Sequence, residues 1–106
     1  MKAGELKQRI TIQIPQRSKN AFGEWIDTFA DWVTVWAALE PLTGGRYLQS
    51  KQLTAEVTGV VRIRYRTGLL PTMRLLYGMR IFNIVSIVQP KEAKRELHIY
   101  YREALD

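Results

Sequence analysis

The sequence contains no cysteine and a single histidine, His98. The absence of cysteine excludes disulfides, thiolate metal sites and cysteine nucleophiles. With one histidine, any Ser-His-Asp arrangement would have to use His98, and a metal site with several histidines from one chain is excluded. No apolar run is long enough to span a bilayer, and the first residues lack the apolar segment of a secretory signal. We therefore expect no membrane partner.

Acidic residues are absent between Glu56 and Glu92. The basic residues of that interval are Arg62, Arg64, Arg66, Arg74, Arg80 and Lys91. These six charges equal the net charge of +6, so the rest of the chain is neutral. A charge distribution of this kind predicts a polyanion or an acidic protein surface as partner.

The residue types do not point to catalysis. The 10 acidic residues show no spacing typical of a glycosidase or a metal site. Gly44-Gly45-Arg46 lacks the Gly-Lys-Ser/Thr ending of a phosphate loop. We expect no catalytic residues, no cofactor and no metal, and a structural or binding protein rather than an enzyme. The length of 106 residues predicts one domain, and 46% hydrophobic residues suffice for a core.

Residues 57–66 are the clearest predicted strand, because β-branched and aromatic residues recur there with period two. The predicted inward side chains are Val57, Val61, Ile63 and Tyr65. The opposite face carries Arg62, Arg64 and Arg66, spaced at about 6.6 Å along the strand. Gly59 inside this strand predicts a bulge or a close backbone approach.

Further strands are predicted at residues 9–14, 25–29, 31–39, 73–77, 80–88 and 95–103. Pro15 is expected to end the first strand and to begin a surface loop over residues 15–24. Residues 46–54 contain good helix formers and predict a short helix, with Thr43 as N-cap, inside an insertion over residues 41–55. Gly78-Met79 fits a two-residue type II′ hairpin turn. The sum predicts a mainly β protein: a small antiparallel β-barrel or sandwich of six or seven strands with one short helical insertion.

Two groups of side chains are candidates for binding. The arginine row could hold phosphates, but a solvated strand face or carboxylates of a neighbouring subunit are the commoner uses of such a row. The aromatic residues could form a stacking platform for bases: Trp25, Trp32, Trp36, Tyr47, Tyr65, Tyr100 and Tyr101. We expect instead that Trp32 and Trp36 lie in the protein core, on a strand that is covered on both faces. We expect Tyr100 or Tyr101 to lie at a rim or interface. His98 is expected to be a surface or hydrogen-bonded residue.

Several segments together resemble the bacteriophage head–tail joining proteins, also called head-closure or head–tail adaptor proteins. The matching segments, in order, are residues 4–13, 32–44, 56–66, 73–90 and 95–97. The resemblance implies a β-barrel-like subunit in a ring, dodecameric on the portal, that closes the DNA-filled head and presents a docking surface for the tail. It implies no catalytic residues. It also implies a place in the neck of the virion, for a protein made in the host bacterial cytoplasm and encoded by a phage or prophage.

The resemblance suggests two uses for the basic residues. The row of Arg62, Arg64 and Arg66 would meet acid-containing segments of a neighbouring subunit or of the portal. Residues 41–55, hinged at Gly44 and Gly45, would point into the channel, where Arg46 and Lys51 face the phosphates of packaged double-stranded DNA without reading its sequence.

The expected partners are the chain itself, the portal or an adaptor protein, and a tail-completion or tail protein. Two alternatives remain: a tail-completion protein at the tail end, or a small OB-like domain that binds nucleic acid non-specifically.

Overall fold

The computed structural model describes residues 6–50, 53–90 and 95–104, with the side chains of residues 43–50 and 53–56 outside the description. Its six strands are β1 (Gln8–Lys19), β2 (Trp25–Ser50), β3 (Leu53–Arg64), β4 (Arg74–Tyr77), β5 (Arg80–Val88) and β6 (Glu96–Glu103). They form a closed antiparallel barrel in the order β1-β2-β3-β6-β5-β4. The small antiparallel barrel is confirmed. In the described part of the chain no helix reaches the length and apolarity needed to cross a membrane.

The barrel interior is built from the alternating side chains that the sequence predicts. Ile10 and Ile12 on β1 are fully buried, as are Val61 on β3 and Ile99 on β6. Most of their sequence neighbours are more exposed, as the strand period requires, whereas Gln13 and Val60 are also buried. These four side chains belong to one continuous core cluster.

Tyr101 and Phe82 are the largest side chains of the core, and they stack with ring centroids 4.1 Å apart. Gly59 lies opposite Tyr101 in the β3–β6 register. A Cβ atom at Gly59 would lie 2.6 Å from the Tyr101 hydroxyl and 2.8 Å from the backbone carbonyl oxygen of Glu40. The close backbone approach predicted at Gly59 is therefore confirmed, and its partner is an aromatic ring.

The predicted loop over residues 15–24 is wrong for its first half. β1 continues past Pro15 to Lys19 and pairs with β2 over this whole stretch. β4 pairs with β1 only from Thr11 to Gln13, so beyond that point β1 and β2 form a two-stranded ribbon. Pro15 is tolerated because β1 has a pairing partner on only one side there. The turn itself spans Asn20 to Glu24, where the Asn20 side-chain oxygen accepts two backbone N–H bonds.

The predicted helix over residues 46–54 is also wrong, and Thr43 is not a helix N-cap. Residues 46–50 of β2 pair with residues 53–57 of β3, and residues 51–52 lie outside the described residues. Local helix propensity is worth only tenths of a kcal/mol per residue, so a long-range strand partner readily overrides it. The register places Pro41 opposite Gly59 and Arg46 opposite Val57, so residues 42–45 face the single residue 58.

The predicted two-residue hairpin is confirmed. Gly78 and Met79 connect β4 to β5, and Gly78 has a φ of 60°, a positive value that type I′ and type II′ turns both require at their first central position. Arg80, directly after this turn, donates two hydrogen bonds to the Glu103 carboxylate, at 2.9 and 2.8 Å. This pair fixes the start of β5 to the end of β6.

Candidate functional site

The arginines of β3 fall into different surroundings rather than one uniform row. Arg62 lies between β2 and β6, and its guanidinium contacts the Glu40 carboxylate at 3.2 Å. Its Nε atom is buried and has no hydrogen-bond partner among the described residues. Much of the charge of Arg62 is therefore already balanced inside the subunit.

Arg64 and Arg66 border one groove of about 250 Å³ at the end of the barrel. Trp36 lines the same groove together with Leu6, Val35 and Tyr65. Arg64 is exposed, and within the described residues no carboxylate or ring contacts its guanidinium. Arg66 follows β3 and lies over the Trp32 ring, 5.0 Å from its centroid. Arg64 is thus the member of the row whose charge is available to a partner.

The three tryptophans lie on the outer surface, so the prediction that Trp32 and Trp36 belong to the core is wrong. Trp25 is 60% exposed, Trp32 38% and Trp36 51%, and Phe29 on the same strand is 37% exposed. The strand over residues 31–39 is correspondingly uncovered on its outer face within the described chain. Val33 and Val35, which alternate with the tryptophans, pack against the core instead.

A β-bulge brings these aromatic rings onto a single face. Ile12 pairs with Val33 and Gln13 with Asp31, so Trp32 is an extra residue in β2. One extra residue reverses the alternation. The large exposed rings therefore occupy odd-numbered positions before the bulge, Trp25 and Phe29, and even-numbered positions from the bulge onward, Trp32 and Trp36. The bulge also explains why residues 25–29 and 31–39, predicted as two strands, form one continuous strand.

Each exposed ring of β2 is paired with a cation. Arg9 lies over Trp36, its cross-strand neighbour, with 4.8 Å to the ring centroid. Lys19 lies over Trp25, also directly opposite, at 5.2 Å. Each exposed cation–π pair of this kind contributes about 0.5–1 kcal/mol.

Arg74 holds the middle of this surface together. Its guanidinium lies over the Phe29 ring at 4.0 Å and donates from Nε to the Gln13 side-chain oxygen at 2.7 Å. The Gln13 amide nitrogen donates in turn to the Asp31 carboxylate at 2.7 Å. This chain of contacts buries Gln13 and ties β4, β1 and β2 together just beside the bulge.

The remaining aromatic candidates do not join the tryptophans. Tyr101 is fully buried in the core, and burial raises the pKa of its phenol. Tyr65 packs partly against the core, and Tyr100 is half-buried on β6. The side chain of Tyr47 lies outside the described residues. His98 is hydrogen-bonded to Glu96 at 2.9 Å, which confirms the prediction of a surface or hydrogen-bonded residue.

Three of the four predicted channel residues, Gly44, Gly45 and Arg46, lie on β2 where it pairs with β3. Gly44 and Gly45 fall within the irregular stretch where residues 42–45 of β2 face residue 58 of β3. Arg46 begins the paired ribbon beyond it, and Lys51 lies outside the described residues. β3 pairs with β6 only from Gly59 onward, so the paired residues beyond the irregular stretch form a second two-stranded ribbon.

The described surface presents cations and exposed aromatic rings, groups that can bind anions and apolar side chains. Among the described residues, no group of three or more His, Asp or Glu side chains is arranged to hold a metal ion.

The exposed positions of the tryptophan rings were not predicted from the sequence, although one signal was available. Trp32, Thr34 and Trp36 alternate with Val33, Val35 and Ala37, and of two such faces the aliphatic one is the better fit to a small barrel interior.

One family model matches nearly the whole chain, and two solved structures share its fold. The family model for phage head completion proteins matches residues 1–104. Among curated proteins, none matches the chain significantly. The solution structure of protein SF1141 from Shigella flexneri 2a is 29% identical, with 98% of this chain and 97% of that chain covered and a TM-score of 0.71.

A chain in the virion of a native gene transfer agent particle has the same fold, at 18% identity and a TM-score of 0.69. The alignment covers 95% of this chain and 97% of that one. The family match spans nearly the whole sequence, including every described strand. The chain therefore belongs to the phage head completion protein family, and it is a structural protein associated with the head of the virion.

Proposed function

We propose that this protein forms a ring beneath the portal that closes the DNA-filled head and provides the docking surface for the tail. The observation that carries the proposal is the match of residues 1–104 to the phage head completion family. Completing a head requires a seal at the vertex through which DNA entered, and a ring of small subunits around that channel supplies one. In this role the protein is an adaptor without catalytic residues.

The closed barrel limits how such a ring is built. A closed barrel leaves no free strand edge along its paired length, so neighbouring subunits meet through side-chain faces or through the two ribbons. A cyclic ring needs two different complementary faces on each subunit. Arg64, exposed and without a partner carboxylate in the described chain, supplies positive charge for one of them. We assign its partner to an acidic segment of the neighbouring subunit or of the portal.

The β2–β3 ribbon suits the channel side of the ring. Between Arg46 and Ser50 it extends about 13 Å, at about 3.3 Å per residue, beyond the stretch that contains Gly44 and Gly45. The unequal register there lets the ribbon change direction relative to the barrel. Arg46 on this ribbon, together with Lys51, would meet DNA phosphates in the channel without sequence readout.

Charge reversal at Arg64 tests the ring contact. Arg62 and Arg66 are poorer sites, because their reversal would oppose Glu40 and strip the cation from Trp32 inside the subunit. Arg64→Glu should abolish ring formation on purified portals, measured by native mass spectrometry, while leaving the far-UV circular dichroism of the subunit unchanged. Arg102→Glu, on an exposed β6 position, is the matched control and should still assemble.

Two outcomes would contradict the proposal. If Arg64→Glu assembles normally but no longer retains DNA, the arginine contacts nucleic acid rather than a protein neighbour. If the wild-type protein binds free tails and not portals, the chain completes the tail instead of the head.

A further inference from the structure

Trp25, Phe29, Trp32 and Trp36, here called the tryptophan face, form one exposed stripe along β2. Their exposed fractions run from 37% to 60%, large values for rings of this size. Phe22, in the turn that ends the same ribbon, is 86% exposed. A row of large exposed aromatic side chains on one strand face is typical of a docking site, because tryptophan and arginine are the residues that anchor interfaces.

The tryptophan face is strongly positive. Its cations are Arg9, Arg17, Lys19, Arg66 and Arg74. Its carboxylates are Asp27 and Asp31, and both already have partners: Arg17 at 3.3 Å and the Gln13 amide at 2.7 Å. A partner that fits this surface must therefore bring negative charge together with apolar groups.

The geometry of the cations favours protein over nucleic acid as that partner. A base needs an open ring face on which to stack, whereas cations lie over the rings of Trp25, Trp32 and Trp36 at 4.8–5.2 Å. A guanidinium stacked on a ring still presents its N–H edge, which matches a carboxylate in a bidentate pair. Ring edges and guanidinium edges together suit apolar and acidic side chains.

The described residues of a second copy of this chain are a poor source of that acid. Of the acidic side chains that the structure describes, Glu40, Glu96 and Glu103 are paired with Arg62, His98 and Arg80. Asp27 and Asp31 are paired on the tryptophan face itself. Within the described residues Glu24 is the remaining carboxylate, and one charge does not balance a facing surface that carries five cations against two carboxylates.

We propose that the tryptophan face docks an acidic segment of a different protein, whose carboxylates bind Arg9, Arg66 and Arg74 and whose apolar side chains pack against the ring edges. Arg64 borders this surface, because it lines one groove together with Trp36 and Arg66. The assignment nevertheless rests on other residues, Arg9, Arg66 and Arg74, and does not require the ring proposed above.

The chain provides its own probe for this surface, since all 3 tryptophans lie on it. A peptide of Glu-Glu-Leu repeats should shift the tryptophan emission to shorter wavelength and protect it from acrylamide quenching. The matching Gln-Gln-Leu peptide should do neither. Arg9→Gln combined with Arg66→Gln should weaken peptide affinity about tenfold or more, while Arg102→Gln should bind within about twofold of wild type. Circular dichroism checks the fold, and Arg9→Gln alone serves if the double variant unfolds.

Three results would overturn the proposal. Equal protection by an oligo-dT strand would assign the face to nucleic acid. Protection that grows with protein concentration in the absence of peptide would assign it to a second copy. The acidic segment would be ruled out if the Glu-Glu-Leu peptide did not protect the tryptophans from quenching. It would also be ruled out if the Gln-Gln-Leu peptide protected them equally. None of these results depends on whether the protein forms a ring on portals.

Discussion

Gly59 is the position at which one added methyl group should destabilise the barrel most. A Cβ there would lie 2.6 Å from the Tyr101 hydroxyl and 2.8 Å from the Glu40 carbonyl, against an ordinary contact of 3.4 Å or more. Relief requires displacements of up to about 0.8 Å, the difference between 3.4 and 2.6 Å. Neither neighbour yields easily, because Glu40 is paired to β3 and the Tyr101 ring is stacked on Phe82. Gly59→Ala should therefore lower the free energy of unfolding by about 3 kcal/mol, the upper end for overpacking.

Tyr101→Phe provides the second arm of a double-mutant cycle. The Tyr101 hydroxyl is buried without a hydrogen-bond partner among the described residues, so its removal should stabilise the protein by about 1 kcal/mol. It also removes the shortest contact of the added Cβ, although the contacts to the Tyr101 ring and the Glu40 carbonyl remain. The double variant should therefore be about 1 kcal/mol more stable than the sum of the single effects predicts.

Urea unfolding at one fixed, low protein concentration measures all four proteins, because assembly would add to the apparent stability. Additive effects, or a Gly59→Ala cost below about 0.5 kcal/mol, would refute the packing described at this site.

The pH dependence of stability gives an independent check through the Tyr101 phenol. Burial raises the pKa of Tyr101 in the folded state. Wild-type stability should thus fall as pH rises above about 10 and through the folded-state pKa, and Tyr101→Phe should lack this loss.

Two further predictions concern the β4–β5 hairpin and its closing ion pair. Glu103→Gln should lower the free energy of unfolding by about 0.5–1 kcal/mol at neutral pH, whereas Glu24→Gln, at a carboxylate without a described partner, should change it little. The hydrogen bonds from Arg80 lower the pKa of Glu103 in the folded state. This stabilisation should be complete above about pH 4.3 and disappear as pH falls through the lowered pKa of Glu103. If Glu103→Gln and Glu24→Gln lost stability over the same acidic pH range, the prediction would be contradicted. Gly78 has a φ of 60° and open space around it, so Gly78→Ala should cost about 1 kcal/mol in thermal unfolding, and Gly78→Asn clearly less. Equal costs would show that the turn does not require the left-handed conformation.

The strands with one clearly buried face were predictable from the sequence. In residues 61–64 and 96–99 aliphatic residues alternate with polar ones, and this local pattern reports directly on burial. Val61, Ile63, Leu97 and Ile99 lie in the core for that reason. The same local logic identified Gly59 as a place of close approach.

The ribbons and the tryptophan face were not predictable in this way, because they depend on pairing over long distances. The extended backbone around Arg46 follows from pairing with β3, which local helix propensity does not report. The hydrophobicity of Trp32 predicts a core position. The bulge that turns its side chain outward depends on the register between β1 and β2, which the local sequence does not show. The Glu40 partner of Arg62 likewise follows from the β2–β3 register.

The family match and the β2–β3 ribbon together make the neck of the head the most direct place to test the central claim. The measurement is to add the purified protein to tailless, DNA-filled heads of the cognate particle and to image the neck by cryo-electron microscopy. The account predicts an added ring beneath the portal, DNA retained in the head, and the β2–β3 ribbons pointing toward the channel. Density at the ends of free tails with none at the portal, or heads that lose their DNA despite bound protein, would contradict it.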